Sequence, residues 1–190
     1  MALLEHRPLI VRGNRALGLM MLEQQIITPE QLDTANEKLV ENMELGEIRR
    51  ASILHILLFE MQVLNEDAYL EALVEKSGLG LIDLRTCQFR KIADLQPDVN
   101  ACWATWTLPF DLVEDFYLLA TAAFPSATAQ KYWQDKYAGK NLLWYVTSIR
   151  SFQSAMEKLE QLKAEAAKAP PPTKASAKSV TRPPQPVKKG

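Results

Sequence analysis

Few side chains in this sequence are of the types that carry catalysis or bind metals, and they are far apart. His6 and His55 have no second histidine or cysteine at metal-ligand spacing, and Cys87 and Cys102 form no CxxC pair. The sequence contains no phosphate-binding loop, dinucleotide-binding turn, zinc-protease pair or serine-nucleophile elbow. We therefore predict that the protein is not an enzyme and has no metal site and no resident cofactor.

These isolated residues have simple structural interpretations. His55 lies inside the apolar segment ILHILLF, which favours a partly buried structural role over a metal-binding or acid–base role. Two cysteines without partners are typical of reduced, buried thiols in a cytosolic protein. Four acids at helical spacing predict a solvated helix face: Glu37, Glu41, Glu44 and Glu47.

The net charge of -1 conceals an uneven distribution along the chain. Residues 169–190 contain five basic residues and no acid, so the remainder carries -6, which argues against a DNA-binding core. The N-terminus has an acid at Glu5 and no long apolar run. No stretch approaches the roughly 20 apolar residues that a transmembrane helix needs. We therefore predict a cytoplasmic protein with no transmembrane segment and no DNA partner.

Both ends of the chain are expected to lie outside the folded part. Residues 1–13 are predicted to be a loose N-terminal segment. Residues 164–190 hold six of the eleven prolines and little apolar material beyond alanine and valine, which predicts a disordered Pro/Lys-rich tail. Such a tail serves either to keep the protein soluble or as a basic tether to an acidic partner, a membrane surface or nucleic acid.

A short phrase occurs twice in the first half of the chain. The segment QIITPEQLDTA at residues 25–35 aligns with QVLNEDAYLEA at residues 62–72, an offset of 37. Thr28, Pro29 and Gln31 have the types expected of a helix N-cap, first helical position and capping box, and Asn65 caps the second copy. The sequence predicts two helix-turn-helix copies that form a four-helix subdomain over residues 14–78. Their second helices are acid-rich, which argues against DNA binding.

The second half changes from helical to mixed periodicity. From residue 79 the predicted order is β, α, β, β, α, β, α, with a hairpin of strands Leu108–Val113 and Phe116–Thr121. Residues 141–148 read as a further strand before the last amphipathic helix. The predicted fold class is therefore α+β: the helical subdomain is followed, over residues 79–163, by a small α/β subdomain with a mixed three- to four-stranded sheet. The four tryptophans are expected in its core.

The doubled phrase resembles the motif of a known family, the N-terminal (MshE-type) domain of type II secretion and type IV pilus assembly ATPases. That motif reads RLGxxLVxxGLIxxxxLxxxLxxQ and occurs twice. Six residues match the motif in the first copy: Leu17, Gly18, Met21, Ile26, Ile27 and Leu32. Five residues match it in the second copy: Leu54, Leu58, Val63, Leu64 and Tyr69. Downstream, EALVEKSGLGLIDL resembles EALAEQLGLPFVDL, and LPFDLVEDFYLLATAA resembles LPFxxxxxxLxVAxxDP. The resemblance covers about residues 14–162.

The resemblance implies a ligand as well as a fold. In members that bind cyclic di-GMP, the leucine–glycine turn approaches the dinucleotide, and the arginine and glutamine of the motif contact guanine and phosphate. Carried over residue by residue, the resemblance implies a candidate site made of Arg15, Leu17, Gly18, Arg49, Arg50, Leu54 and His55. Cyclic di-GMP would then be a regulatory ligand.

This sequence departs from the family motif at most of the polar positions. The arginine positions are Ala16 and Ile53, and the second leucine–glycine pair has His55 in place of glycine. The mid-motif glycines are Gln25 and Gln62, and a Lys/Pro tail stands where the family has its ATPase motor. The terminal glutamines of the motif are replaced by Leu39 and Lys76.

Two hypotheses follow from this pattern of retained apolar positions and lost polar contacts. The first is a non-enzymatic interaction domain, an accessory or adaptor protein that binds a protein partner in a bacterial secretion, pilus or surface-polysaccharide apparatus. The alternative is a divergent cyclic di-GMP receptor that uses the degenerate duplicated motif.

Overall fold

The computed structural model describes the backbone of residues 2–168 and the side chains of residues 5–167. In this range the first half of the chain is helical, as the duplicated pattern predicts. Its helices are α1 (Ala2–Glu23), α2 (Pro29–Glu44), α3 (Ile53–His55), which continues as a π-helical segment (Ile56–Glu60), and α4 (Glu66–Ser77).

The second half alternates short helices with four strands. Its elements are β1 (Gly80–Leu81), a 3₁₀ turn (Leu84–Thr86), α5 (Phe89–Asp94), α6 (Val99–Thr105), β2 (Thr107–Val113), β3 (Phe116–Thr121), α7 (Ala127–Lys136), β4 (Asn141–Val146) and α8 (Ile149–Lys168). The predicted α+β class is confirmed. The 3₁₀ turn and α5 were not predicted, because elements of three and six residues are too short to show a helical period.

The four strands form one mixed sheet in the order β1-β4-β3-β2. The β2–β3 pair is the predicted antiparallel hairpin, with Glu114 in the left-handed region at its turn (φ 54°). Strand β4 is parallel to both β1 and β3. The link from β3 to β4 passes through α7, because parallel neighbours need a crossover connection.

The helix ends follow the capping residues in the sequence. Thr28 and Gln31 form the predicted capping box of α2, and the Asn65 side chain accepts a hydrogen bond from the Ala68 amide at 3.0 Å. Gln25 and Gln62, which align at the offset of 37, both have left-handed backbone, with φ of 57° and 55°. The turn of the repeat therefore keeps the conformation that glycine would favour, although neither copy has glycine there.

The N-terminal segment is not loose, and the prediction for residues 1–13 is wrong in this respect. Residues 2–13 form the first half of α1, because its buried stripe continues the spacing of Leu17 and Met21 upstream to Ile10 and His6. Helix α1 packs against α6 and α7 of the second half as well as against α2 and α3. A single hydrophobic core therefore runs through both halves.

The C-terminal helix is longer than the predicted tail boundary allows. Helix α8 continues to Lys168, so residues 164–168 are helical rather than part of a disordered tail. Its apolar face is buried at helical spacing: Phe152, Ala155, Met156 and Leu159. The rest of the predicted tail, residues 169–190, lies outside the described residues.

Aromatic side chains fill the space between the sheet and the helices. Trp103 and Trp106 pack edge to face at 5.8 Å between ring centroids, and Phe152 of α8 contacts both rings. Trp133 of α7 is fully buried, and its indole N–H donates to the Thr105 hydroxyl at 3.1 Å. Trp144 is half-buried, so three of the four tryptophans lie in the core as expected.

Candidate functional site

Of the predicted site residues in the first copy of the motif, on helix α1, only one is polar and exposed. Arg15 is exposed, whereas Leu17 and Gly18 are buried. A Cβ atom placed on Gly18 would lie 2.6 Å from Leu32 Cδ1 and 3.3 Å from Ile53 Cδ1. Gly18 therefore allows α1 to pack closely against the side chains of α2 and α3, and this packing accounts for the glycine without a ligand.

Arg49 of the second copy is engaged with helix α8 and the aromatic core. Its guanidinium forms an ion pair with Glu160 and lies 5.6 Å from the centroid of the Trp103 ring. The Glu160 carboxylate also accepts the indole N–H of Trp103 at 2.9 Å. These contacts join the loop after α2 to α8, and they use the arginine fork that a phosphate or guanine would need.

Arg50 is engaged with Glu60, at the end of the π-helical segment. Its guanidinium donates to Glu60 Oε1 from Nη2 at 3.0 Å and from Nε at 3.3 Å, and the Asn42 amide donates to the same oxygen at 3.0 Å. Burial alone raises the pKa of the Glu60 carboxyl, but the hydrogen bonds from Asn42 and Arg50 outweigh it and lower the pKa overall. The carboxylate is thus held ionised as the centre of a polar cluster, the Glu60 cluster, with Asn42, Arg50, His55 and Lys38.

His55 belongs to the edge of this cluster. Its Nε2 atom lies 4.0 Å from Glu60 Oε1, and its ring packs on Phe59 with 5.0 Å between centroids. Burial lowers the pKa of His55 even though Glu60 pulls in the opposite direction. Half-buried and neutral beside a satisfied carboxylate, His55 has the structural role that its apolar sequence context indicates.

The seven residues of the predicted site therefore do not converge on one pocket. The structure brings Arg50 and His55 together at Glu60, whereas Arg49 turns toward α8 and Leu54 is completely buried. Leu17 and Gly18 lie in the interior beneath the exposed Arg15.

A buried asparagine that sequence reasoning missed joins the two copies. Asn14 Oδ1 accepts the amide N–H of Ile53 at 2.8 Å, and its Nδ2 donates to the carbonyls of Ala51 at 3.3 Å and Ile10 at 2.9 Å. Asn14 thus caps the start of α3, where Ser52 makes no side-chain capping bond. In the sequence, Asn14 is visible only as a polar residue within the apolar stripe of α1. That signal does not predict the capping bond, because the position of α3 is not known from the sequence.

An open cleft of about 770 Å³ lies next to the first copy. Helix α1, the end of α4, helix α7 with the loop before it, and strand β4 all contribute to its walls. Its lining mixes apolar side chains with amides, hydroxyls and one lysine: Ala16, Leu17, Met20, Ser77, Leu79, Phe124, Pro125, Ser126, Gln130, Gln134, Lys140, Asn141, Leu142 and Trp144. Because Lys140 is paired with Asp115, the cleft offers mainly neutral hydrogen-bonding groups.

A second surface, the hairpin patch, is defined by four apolar residues on one face of the sheet. Val113 pairs with Phe116 across the hairpin, and Leu118 pairs with Leu143 across β3 and β4, so all four side chains share that face. Val113 is 50% exposed, and Phe116 and Leu143 are each 44% exposed. Helices α5 and α8 contact β2, yet Val113, Phe116 and Leu143 remain exposed.

Two absences concern the described residues only. Residues 5–167 contain no group of three or more His, Cys, Asp and Glu side chains placed to hold a metal ion. Within the described range, no helix combines the length and the apolar character that crossing a bilayer requires.

Comparison with solved structures finds similar proteins, among them MshE and XpsE. The structure of MshE with cdg matches with 16% sequence identity, 75% of this chain and 97% of that chain covered, and a TM-score of 0.45. The N-terminal domain of XpsE matches with 17% identity, 73% and 90% coverage, and a TM-score of 0.46. No family model matches the sequence, and neither does any curated protein. Both names agree with the MshE-type resemblance of the doubled motif, and at these identities the likeness concerns the fold alone.

Proposed function

We propose that this chain is a non-catalytic interaction domain of the secretion- and pilus-ATPase N-terminal type, a cytoplasmic adaptor that binds a protein of a bacterial secretion, pilus or surface-polysaccharide apparatus. The observation that supports this proposal is the hairpin patch. It presents Phe116, Val113, Leu118 and Leu143 together on a rigid hydrogen-bonded sheet. Contiguous exposed apolar surface of this kind is typical of protein-binding sites.

The composition of the hairpin patch is suited to a protein partner. An aromatic anchor among aliphatic side chains provides the desolvated centre of an interface, and full burial of such a side chain contributes about 1.5–3 kcal/mol. Two of the neighbouring carboxylates are already paired: Asp111 contacts Lys91 at 3.3 Å, and Asp115 contacts Lys140. A partner can therefore cover the patch without leaving these carboxylates unpaired.

The polar residues of the duplicated motif support the same proposal. Arg49 and Arg50 are engaged with Glu160 and Glu60, and a dinucleotide would have to break these contacts to recruit them. In this proposal the duplicated motif is scaffold that fixes α1 to α4 in place, and binding takes place on the sheet.

The proposal is tested by affinity purification of the tagged full chain from cells that contain a complete envelope apparatus. We expect the wild-type chain to recover a component of that apparatus and the Phe116→Asp variant to lose it by at least tenfold. The matched control is Leu45→Asp, because Leu45 is 70% exposed but lies at the end of α2, outside the patch. Recovery of no apparatus component by the wild type, or equal recovery by Phe116→Asp, contradicts the proposal.

The second candidate function is a divergent cyclic di-GMP receptor, and one observation favours it. The 770 Å³ cleft is lined by Ala16, Leu17 and Met20 of the first copy, next to the exposed Arg15 on the same helix. A guanine base could stack in such a cleft on Trp144 and bond to its amides. One motif copy would then do the binding, without the engaged arginines of the second.

Calorimetry with cyclic di-GMP at micromolar protein tests the receptor function. The receptor function predicts measurable heat for the wild type and about tenfold weaker binding for Arg15→Ala. It predicts unchanged binding for Arg7→Ala, since Arg7 is an exposed arginine two turns earlier on α1. Absence of heat in the wild type rejects the receptor function while leaving the adaptor proposal intact.

A further inference from the structure

Helix α4 and the edge strand β1 form a groove that neither candidate function uses. The groove has a volume of about 450 Å³. Leu70, Val74 and Leu81 form its apolar floor, and Leu81 is 59% exposed. The remaining lining residues are all acidic: Asp67, Glu71 and Glu75. We refer to it as the acidic groove.

The three carboxylates of the acidic groove lie in one row and lack cationic partners in the described structure. They are spaced four residues apart on α4, so each is adjacent to the next on the helix surface, where like charges repel. None of them takes part in an ion pair between side chains of residues 5–167. By contrast, Glu66 of the same helix pairs with Arg150 at 2.8 Å. A basic occupant would relieve this repulsion.

Strand β1, which contributes Leu81 to the groove, is an edge strand of the sheet. Strand β1 pairs with β4 on one side only, and among the described residues no strand pairs with its other side. An extended segment lying beside Gly80 and Leu81 would find both apolar contact and free backbone hydrogen-bonding groups. The occupant should therefore be a short extended peptide with basic residues and a small apolar residue between them.

We propose that this occupant is a segment of the chain itself, Lys178–Arg182 (KSVTR), which lies beyond the described residues. Its two cations are four residues apart, about 13 Å in an extended chain, and Asp67 and Glu75 are eight residues apart, about 12 Å along the helix. Val180 lies midway between the cations, at the position that would face Leu70, Val74 and Leu81. The whole segment from residue 169 to 190 contains five basic residues and no acid.

The connection is long enough for the segment to reach the groove of its own molecule. The Glu66–Arg150 pair places the start of α8 beside the start of α4. The 20 residues of α8 carry the chain about 30 Å from that point, and the ten residues from Lys168 to Lys178 span up to about 35 Å when extended. Because the segment is tethered, even weak contacts occur at a millimolar effective concentration.

While the segment is docked, another partner could bind the acidic groove only by displacing the segment. A partner that binds the basic segment would uncover α4 and the β1 edge, and a partner that binds the groove would release the basic segment. This exchange goes beyond the adaptor function, because it couples the acidic groove to the basic segment regardless of what the hairpin patch binds.

Amide NMR spectra of the full chain test the docking. We expect the variant Glu71→Gln/Glu75→Gln to shift the amides of Leu81 and Val180 together, and to lower the docking constant about tenfold. Raising the salt concentration should shift the same amides in the same direction. The matched control, Glu37→Gln/Glu41→Gln, removes the same charge from the exposed acids of α2 and should leave these amides unchanged.

A second pair of variants tests the apolar contact independently of charge balance. Val180→Asn should shift the α4 and β1 amides as the groove variant does, whereas Val187→Asn, which makes the same change outside the docked segment, should not. The proposal is overturned if the groove variant leaves Val180 unmoved, if the α2 control has the same effect, or if the shifts disappear on dilution, which would assign the contact to a second molecule.

Discussion

The two copies of the duplicated motif have the same turn but opposite surroundings. The first copy is a continuous α-helix that retains Gly18 and borders an open cleft. The second has His55 in place of that glycine, widens into a π-helix, and surrounds Glu60 with polar partners. The comparison indicates that the first copy presents a surface, whereas the second forms a junction between α2, α3 and α8.

The largest effect should come from the residue that joins the copies. Replacing Asn14 by leucine leaves the Ile53 amide without its acceptor and the start of α3 uncapped, so we expect a loss of about 2–3 kcal/mol in the free energy of unfolding. Urea denaturation measures this loss. Asn36→Leu, at an exposed position of α2, is the control and should cost less than about 0.5 kcal/mol. Similar losses for the two variants would contradict the junction role of Asn14.

The next prediction separates the effect of close packing from the effect of helix propensity at the two glycines inside α1. Gly13→Ala meets no atom within 4 Å and should stabilise the helix by about 0.5–1 kcal/mol. Gly18→Ala gains the same helix propensity but must displace Leu32, so it should be less stable than Gly13→Ala by about 1–2 kcal/mol. Thermal unfolding of the two variants side by side gives the difference. Equal stability would mean that Gly18 is not needed for packing against Leu32.

The Glu60 cluster predicts an acid-sensitive contribution from the second copy alone. The folded pKa of Glu60 is lowered from its ordinary value of 4.5, so the stabilisation is present above that pH and is lost as the pH falls through the lower folded pKa. We expect Glu60→Gln to cost about 1 kcal/mol at pH 7 and the difference from wild type to become smaller at about pH 3. Urea titrations at both pH values measure it, with Glu41→Gln as the exposed-acid control. A difference that persists unchanged at pH 3 would refute the assignment.

The smallest predicted effect concerns the left-handed turn residue that the two copies share. Gln25 and Gln62 both have left-handed backbone, which costs a non-glycine residue about 1 kcal/mol. Because glycine is also more flexible in the unfolded chain, each change to glycine should stabilise the fold by about 0.5 kcal/mol. Differential scanning calorimetry checks this against Gln24→Gly, a neighbour whose φ is not positive, which should destabilise it instead. If only one copy gains stability, the two turns are not equivalent.

Local patterns predicted much of the fold. The capping box at Thr28, the hairpin turn at Glu114 and the helical spacing of Phe152 and Leu159 each depend on residues close in sequence, so local sequence is sufficient to predict them. The N-terminal half of α1 was missed because its buried stripe packs on α6 and α7, and only those partners distinguish it from a loose segment.

The candidate site was less predictable than the fold. The resemblance supplied the positions Arg49 and Arg50, but the partners Glu160 and Glu60 are 111 and 10 residues away from them in sequence. Whether an arginine faces a ligand or a carboxylate of its own chain depends on that distant contact. The 770 Å³ cleft was not foreseen for the same reason, since its walls come from both halves of the chain.

The sequence by itself determined the duplicated turn, the helix caps, the hairpin and the α+β class, because these depend on hydrogen bonds and apolar periods within a few residues. Tertiary structure alone decided the junction at Asn14, the engagement of both arginines, and the surfaces left open at the hairpin patch and the acidic groove. Those outcomes depend on which charges and apolar side chains meet after folding, and burial changes the free energy of a charged or apolar group far more than its neighbours in sequence do.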